Sequence, residues 1–347
     1  MKLSYIFLLI IVLFFFYKPN ENYTNYRKII VKPNKLVYNP LLFLYTKSRI
    51  NHFIYKTISK YIPSNKFKIK HNNKQIIKTV NLNKNILGLV TEYELLNFIQ
   101  HNNNSNIRFI CNLFYKEFSF ISLKEVNINN LKKKRVGVMK HSSALYLLKK
   151  LQNIFKFKLI ILDEFEIIEI KNILNKQKLD ALGIFLSHPN NELEKLFKKN
   201  ILNIFALDNV PKTILKTIVP YYKEASIEIV DYIKEKNYMI PTVKIFNIII
   251  TNKDTSIDIS YNLLDNIYHK FIDIKLIKND FLKRQTNYFN VNNIFSSENK
   301  IFRLHNGTYR YYIDKGYISY SDRNICRKYI GLQKCDENSR INPYRLL

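Results

Sequence analysis

The chain has 347 residues, of which 47% are hydrophobic and 14% aromatic, so it can bury a substantial core and is neither a disordered tail nor a mini-protein held by disulfides. Its 56 basic and 27 acidic residues give a formal net charge of +29, which suits nucleic acid, an anionic membrane surface or an acidic ligand. With only 6 Gly and no Trp, the composition is also typical of an AT-rich genome, and such bias explains part of the basicity.

Several kinds of catalytic and cofactor chemistry lack their sequence signals. The chain contains neither GxGxxG nor GxxxxGK[ST], and it has no HExxH and no CxxC, so nucleotide-cradling loops, zinc sites and thioredoxin-like pairs are not indicated. No nucleophile with a base partner is recognisable either. We therefore expect no cofactor, no metal site and no enzymatic activity.

The N-terminus predicts export from the cytoplasm. Lys2 precedes an apolar stretch over residues 3–17, the order of a secretory signal or a short signal-anchor, with a buried N-terminal helix as the alternative. We assign residues 1–19 to that segment, cleaved or not, and residues 20–27 to a linker, so the rest is secreted or membrane-anchored outside the cytoplasm.

Outside the cytoplasm, two modifications become available. An oxidising compartment would allow Cys326 and Cys335 to pair, with two free thiols as the alternative. The sequons that begin at Asn22, Asn103 and Asn306 would be acceptors for glycosylation.

The first part of the exported chain mixes strand and helix signals. A strand is predicted over residues 27–31, followed by helical periodicity after Pro40 and by a polar stretch at 70–74. Further strands are predicted by short apolar runs that lie at residues 86–90, 107–113 and 118–121.

From residue 135 onward, predicted strands and helices alternate. Strands are predicted over 135–139, 158–162, 181–186, 201–206 and 243–250, and helices over 142–155, 164–177, 191–199, 212–218, 256–277, 279–296 and 308–315. In the helix 142–155, apolar residues follow the spacing of a buried face, at Ala144, Leu145, Leu147, Leu148, Leu151 and Ile154. This alternation predicts an α/β fold with parallel strands covered by helices.

Polar residues follow several of these strands, where α/β proteins bind ligands. Ser142 and Ser143 come after the strand 135–139 at the start of a helix, where they could hold an anion or simply cap the helix. His188 lies in a similar loop, and Thr91 and Thr242 lie at other strand ends. Each position is also compatible with ordinary loop chemistry.

Short motifs in a fixed order resemble the TAXI family of extracytoplasmic solute-binding proteins, the receptors associated with TRAP-type transporters. Residues 34–41 resemble its Gly-Gly-x-Tyr-Tyr-Pro segment, and 130–138 resemble its DLKGKRV segment. The remaining matches, which extend the resemblance over most of the exported chain, lie at residues 87–92, 141–144, 179–181, 187–190, 220–222, 241–243 and 303–311.

The resemblance implies a two-lobed type II periplasmic-binding-protein fold with a ligand cleft between the lobes. Lobe 1 would comprise residues 28–139 and the return helices 251–317, lobe 2 residues 140–250, and a basic aromatic tail residues 318–347. The ligand would be a small anionic molecule, amino-acid or dicarboxylate-like. The residues implied to face it are Tyr38, Thr91, Glu92, His141, Ser142, Ser143, His188 and Thr242.

We therefore predict a non-catalytic binding protein for a small anionic solute, secreted or anchored to the membrane through its N-terminal segment. The sequence does not itself imply a transporter partner. Two alternatives remain: a recruited structural or interaction protein with a degenerate cleft, and a basic protein that binds nucleic acid or an anionic surface. Nucleic acid is the less favoured partner, because the lysines are dispersed except in the run Lys132–Arg135.

Overall fold

The computed structural model describes residues 42–46, 66–70, 72–102, 105–197, 202–207, 210, 222–229, 232, 238–274 and 302–316. Within them, no helix combines the length and the apolar character that a membrane span needs. The predictions outside the described residues concern the N-terminal signal or anchor, the linker, the tail, the strand 27–31, the helices 212–218 and 279–296, and Tyr38, Cys326, Cys335, Asn22 and Asn103.

One mixed sheet organises the described residues. Its strands are β1 (Leu42–Thr46), β2 (Lys66–Lys70), β3 (Ile86–Thr91), β4 (Ile107–Ser122), β5 (Arg135–Met139), β6 (Lys158–Leu162), β7 (Ala181–Leu186), β8 (Asn203–Phe205), β9 (Lys223–Glu228) and β10 (Met239–Asn252). They pair in the order β2-β1-β3-β10-β4-β7-β5-β6, while β8 pairs with β4 and β9 with β10.

The helices are α1 (Asn73–Leu82), α2 (Glu92–His101), α3 (Ser143–Phe155), α4 (Ile170–Lys176), α5 (Asn191–Phe197), α6 (Ile257–Ile274) and α7 (Asn306–Asp314). Short 3-10 turns lie at Ile128–Asn130 and Ile167–Glu169. On α3 the predicted apolar face is buried at Ala144, Leu147, Leu148 and Leu151, whereas Ile154 is 40% exposed at the last turn.

Two long strands divide the sheet into two halves. β4 has 16 residues and β10 has 14, which is enough for each to pair with different neighbours at its two ends. β10 pairs with β3 through residues 247–251 and with β9 through residues 239–244. β4 pairs with β7 through residues 117–121. The first half thus contains β1 to β3, and the second contains β5 to β9.

Each half has its own hydrophobic core. The first is built on β1, β3 and α1 with α6 and α7, and it centres on residues such as Leu44, Ile76 and Tyr312. The second half buries one cluster around Phe118, Leu148 and Tyr222 and another around Ile184 and the residues beside it. The two halves share the long strands, so the two-lobed α/β prediction is confirmed.

Three details differ from the sequence-based expectation. The region after Pro40 forms the strand β1, not a helix, because its residues pair with β2 and β3. The runs 107–113 and 118–121 are one strand, β4, since pairing with β10 continues through Lys116 and Glu117. The sheet is also mixed, because β4 and β10 run antiparallel to their neighbours.

The corner where α6 and α7 pack is a close contact. His305 caps α7 through Nδ1, which accepts a hydrogen bond of 3.2 Å from the Gly307 N–H, and its Nε2 donates to the Thr255 carbonyl at 3.0 Å. A Cβ on Gly307 would lie 2.1 Å from the Ile257 carbonyl oxygen. Only glycine therefore fits at this position without moving a helix.

Candidate functional site

Two helices, one from each half, begin where a strand ends. α2 follows β3 with Thr91 as its N-cap, and the Thr91 hydroxyl accepts a hydrogen bond from the Glu94 N–H at 3.4 Å. α3 follows β5, with Ser142 at the N-cap position. The Ser142 hydroxyl donates to the Met139 carbonyl at 2.9 Å and does not cap the helix.

The two helix starts contact each other directly. The Thr91 Oγ1 and Ser143 Oγ atoms are 3.3 Å apart, and both side chains are buried. Thr91 also donates its hydroxyl proton to Oε2 of Glu94, so Ser143 is the donor in the contact with Thr91. We call Thr91, Glu94 and Ser143 the helix-start junction. Its two helix N-termini carry partial positive charge, which favours an anion nearby.

An aromatic wall lies beside the helix-start junction and links the two halves. The Tyr222 hydroxyl donates to the Ser143 carbonyl at 3.1 Å. The Tyr222 ring stacks on Tyr93 at 5.9 Å and on Phe185 at 5.6 Å between ring centroids. Tyr146 packs against Tyr93 from α3 at 5.1 Å. Because Tyr93 comes from the first half and Tyr222 from the second, this wall joins the two halves.

Two ionisable groups accompany the helix-start junction. Glu94 accepts hydrogen bonds from Thr91 and from the Asn73 amide, and burial raises the pKa of its carboxyl despite those bonds. Lys116, on β4, attracts Glu94 electrostatically, and burial lowers the pKa of its ammonium group. Both shifts have the same cause, the poor access of water to this region.

His188 lies in the second half, in the loop between β7 and α5. It is 3% exposed, its Nδ1 hydrogen-bonds with the Tyr232 hydroxyl, and its Nε2 has no hydrogen-bond partner. Burial lowers the pKa of its imidazole to about 3, so the ring is neutral at physiological pH. In the same loop Asn190 caps α5 by accepting from the Glu192 and Leu193 N–H groups, as predicted.

The remaining predicted site residues lie in different surroundings. Thr242 is buried in β10, and its hydroxyl donates to the Phe118 carbonyl at 2.6 Å. Glu92 is buried in the first turn of α2, whereas His141 is exposed in the loop before α3. Of the predicted residues that the structure describes, it therefore joins Thr91 to Ser143 and gives Ser142, His188 and Thr242 separate partners.

The basic run and the sequon that the sequence singled out lie away from the helix-start junction. In the run, Lys134 pairs with Asp180 at 3.5 Å, and Arg135 donates to the carbonyls of Gln177 and Lys178. At the sequon, Asn306 is exposed, whereas Thr308 is buried. No group of three or more metal-ligating side chains occurs among the described residues.

The sequence did not predict Glu94, Lys116, Tyr93 or Tyr222 as site residues. A signal for Glu94 was present, because Thr91 and Glu94 have the spacing of a capping box. Lys116 stands out as a charge within an apolar strand. Tyr222 lies in the matched segment 220–222, but its contacts with Tyr93 and Ser143 are long-range and no local pattern predicted them.

Two halves that share two long strands, with one helix start from each half in contact, give the two-lobed α/β fold that the sequence predicts. A model of the NMT1-like family matches residues 95–316, and the chain belongs to that family. The more specific TAXI assignment stays a prediction. No sequence among curated proteins matches this chain.

Several solved structures resemble the chain at low sequence identity. The GluR0 ligand-binding core in complex with L-glutamate is 11% identical with a TM-score of 0.44, covering 72% of this chain and 99% of its own. An ancestral arginine-binding protein bound to arginine is 14% identical with a TM-score of 0.45, covering 73% and 99%. The aliphatic sulphonate-binding protein SsuA from Escherichia coli is 11% identical with a TM-score of 0.41, covering 72% and 74%.

Proposed function

We propose that this protein binds a small anionic solute, of the amino-acid or dicarboxylate type, between its two halves and without catalysis. The observation that carries the proposal is the contact between Thr91 and Ser143, 3.3 Å apart at the starts of α2 and α3. Each start offers N–H groups and a partial positive charge to an anion. A solute that enters between the two helix starts would replace the contact between Thr91 and Ser143 with its own contacts to both residues.

The rest of the proposal follows from the family and from the N-terminus. Membership in the NMT1-like family supports a role in solute binding. The apolar residues 3–17 support a location outside the cytoplasm, secreted or anchored. The ordered motifs support a TAXI-type scaffold, although a transporter partner does not follow from them.

The test is a thermal-shift screen of the full chain against L-amino acids, short dicarboxylates and short sulphonates. A ligand that binds only the native state raises the free energy of unfolding by about 2.7 kcal/mol at a hundred times its Kd, so one class should raise the Tm clearly. If no small molecule raises the Tm, the proposal is overturned and the degenerate-cleft alternative is favoured.

Two neighbouring serines provide a matched control. Ser143→Ala removes the hydroxyl that contacts Thr91, and it should weaken binding about tenfold, the loss of roughly one hydrogen bond to a charged group. Ser142→Ala removes a hydroxyl that bonds only within its own loop, and it should leave the Kd unchanged. Equal effects of the two substitutions would argue against a ligand at the helix-start junction.

A further inference from the structure

Glu94 has hydrogen-bonding capacity left at the helix-start junction. Both hydrogen bonds to its carboxylate, from Thr91 and from Asn73, end on Oε2. The other oxygen, Oε1, accepts no hydrogen bond from the described residues. The carboxylate is therefore fixed through one oxygen while the second can receive a donor.

Lys116 supplies the opposite charge without neutralising Glu94. The two groups attract each other, yet no ion pair within 4.0 Å involves Lys116 in the part of the chain that the structure describes. Two buried charges of opposite sign that form no ion pair with each other are costly in a water-poor region. A ligand with both charges would pair with each of them.

Asn247 adds an unpaired donor on the same side of the sheet. On β10 it lies directly opposite Thr91 of β3 and opposite Phe114 of β4, and cross-strand partners in an antiparallel pair share one face, about 5 Å apart at Cβ. Asn247 is 3% exposed, and its amide nitrogen has no hydrogen-bond partner among the described residues. Buried donors in native proteins are almost always paired, so this one points to an acceptor that a ligand would bring.

Together these groups include a carboxylate as well as positive charges and N–H donors, which a site for a simple anion would not contain. We infer that Glu94, Lys116 and Asn247 select a zwitterionic α-amino acid over a dicarboxylate of similar size. Glu94 Oε1 receives the ammonium group, while the Asn247 amide, Lys116 and the two helix starts receive the carboxylate. A dicarboxylate would place one of its carboxylates against Glu94. This inference rests on the proposed function and narrows its ligand class.

The experiment is calorimetric titration of the full chain with the twenty L-amino acids and with succinate and glutarate. The wild type should bind at least one amino acid about tenfold or more tightly than either dicarboxylate, the effect of one lost charge-assisted hydrogen bond. Glu94→Gln keeps an oxygen for Thr91 and Asn73 but removes the charge. It should weaken amino-acid binding about tenfold and strengthen dicarboxylate binding.

Control variants separate this effect from changes in net charge and in folding. Glu125→Gln makes the same change of charge at an exposed position and should leave both affinities unchanged. Asn247→Leu removes an unpaired donor, so it should fold at least as stably as the wild type while it weakens amino-acid binding. If Glu94→Gln does not fold, Asn247→Leu alone decides whether the amide contacts the ligand.

The outcomes separate the two proposals. If dicarboxylates bind the wild type more tightly than amino acids and Glu94→Gln does not change the order, this inference is wrong while solute binding stands. If neither class binds, the proposed function fails as well. If amino acids bind and Glu94→Gln reverses the preference, both proposals are supported.

Discussion

The C-terminal part of β10 contains two equally buried asparagines in opposite situations. Asn252 donates to the carbonyls of Val80 and Asn81, each at 3.0 Å, and accepts from the Asp254 N–H. Asn247, five residues earlier, is also 3% exposed, yet its amide nitrogen has no partner. The paired asparagine joins β10 to α1, whereas the unpaired one faces the helix-start junction. Of these two asparagines, the bonded one serves the architecture, and the one with an unpaired amide nitrogen lies at the place proposed for a ligand.

The largest effect on stability is expected where α7 packs on α6. Gly307→Ala would place a Cβ 2.1 Å from the Ile257 carbonyl oxygen, and backbone atoms cannot yield as a flexible side chain can. We expect a loss of about 3 kcal/mol or more in the free energy of unfolding, measured by urea denaturation. Asn306→Ala, at the exposed neighbouring position, should change stability by less than about 0.5 kcal/mol. Similar losses from both substitutions would mean that the close approach of the two helices is not the cause.

Substitution of each asparagine tests whether the bonded one stabilises the fold and the unpaired one does not. Asn252→Leu removes the hydrogen bonds to the Val80 and Asn81 carbonyls and the one from the Asp254 N–H, so we expect it to lower the free energy of unfolding by about 2 kcal/mol. Asn247→Leu removes an unsatisfied donor and should raise it by up to about 1 kcal/mol. Urea midpoints of the two variants, compared at equal m-values, provide the measurement. A loss of stability at both positions would show that Asn247 is also an architectural residue.

The smallest effect is a pH dependence at His305. Burial holds the pKa of His305 at about 4 in the folded chain, against about 6.5 in the unfolded chain. Below pH 6.5 the unfolded chain binds a proton that the folded chain does not, so stability should fall by an amount on the order of 1 kcal/mol between pH 8 and pH 5.5 from this residue alone. His188 acts in the same direction, and the raised pKa of Glu94 acts in the opposite one.

His305→Gln removes this titration while it leaves His188 and Glu94 in place. The difference in unfolding free energy between wild type and variant should therefore change with pH by about the amount given above. A difference that is constant from pH 8 to pH 5.5 would show that His305 is accessible to protons in the folded state.

Much of the fold was predictable because it follows from local patterns. The alternation after residue 135 predicted β5, α3, β6 and β7 close to their observed bounds. The strand β1 was missed because it is defined by pairing with β2 and β3, which are distant in sequence. The division of β4 into two strands failed for a similar reason, since Lys116 looked like an interruption until β10 supplied its partner strand.

Site residues were predictable only where they directly follow a predicted strand. Thr91 and Ser143 each follow a strand, so both could be named from the sequence, although their mutual contact could not. Tyr222 reaches Ser143 across 79 residues of chain, and no periodicity encodes such a distance. Asn247 looked like one polar residue in a long buried strand. Its candidate role in ligand binding depends on its unpaired amide nitrogen, which only the structure shows.

The stack of Tyr222 between Tyr93 and Phe185 has a consequence for kinetics. Opening the space between the halves requires Tyr93 to separate from Tyr222, because one ring belongs to each half. An aromatic pair contributes about 0.5–1.5 kcal/mol beyond its buried area, and where that contribution is lost before the ligand escapes, it lengthens the residence time by up to about tenfold. On the proposed function, the aromatic wall would slow the departure of a bound solute.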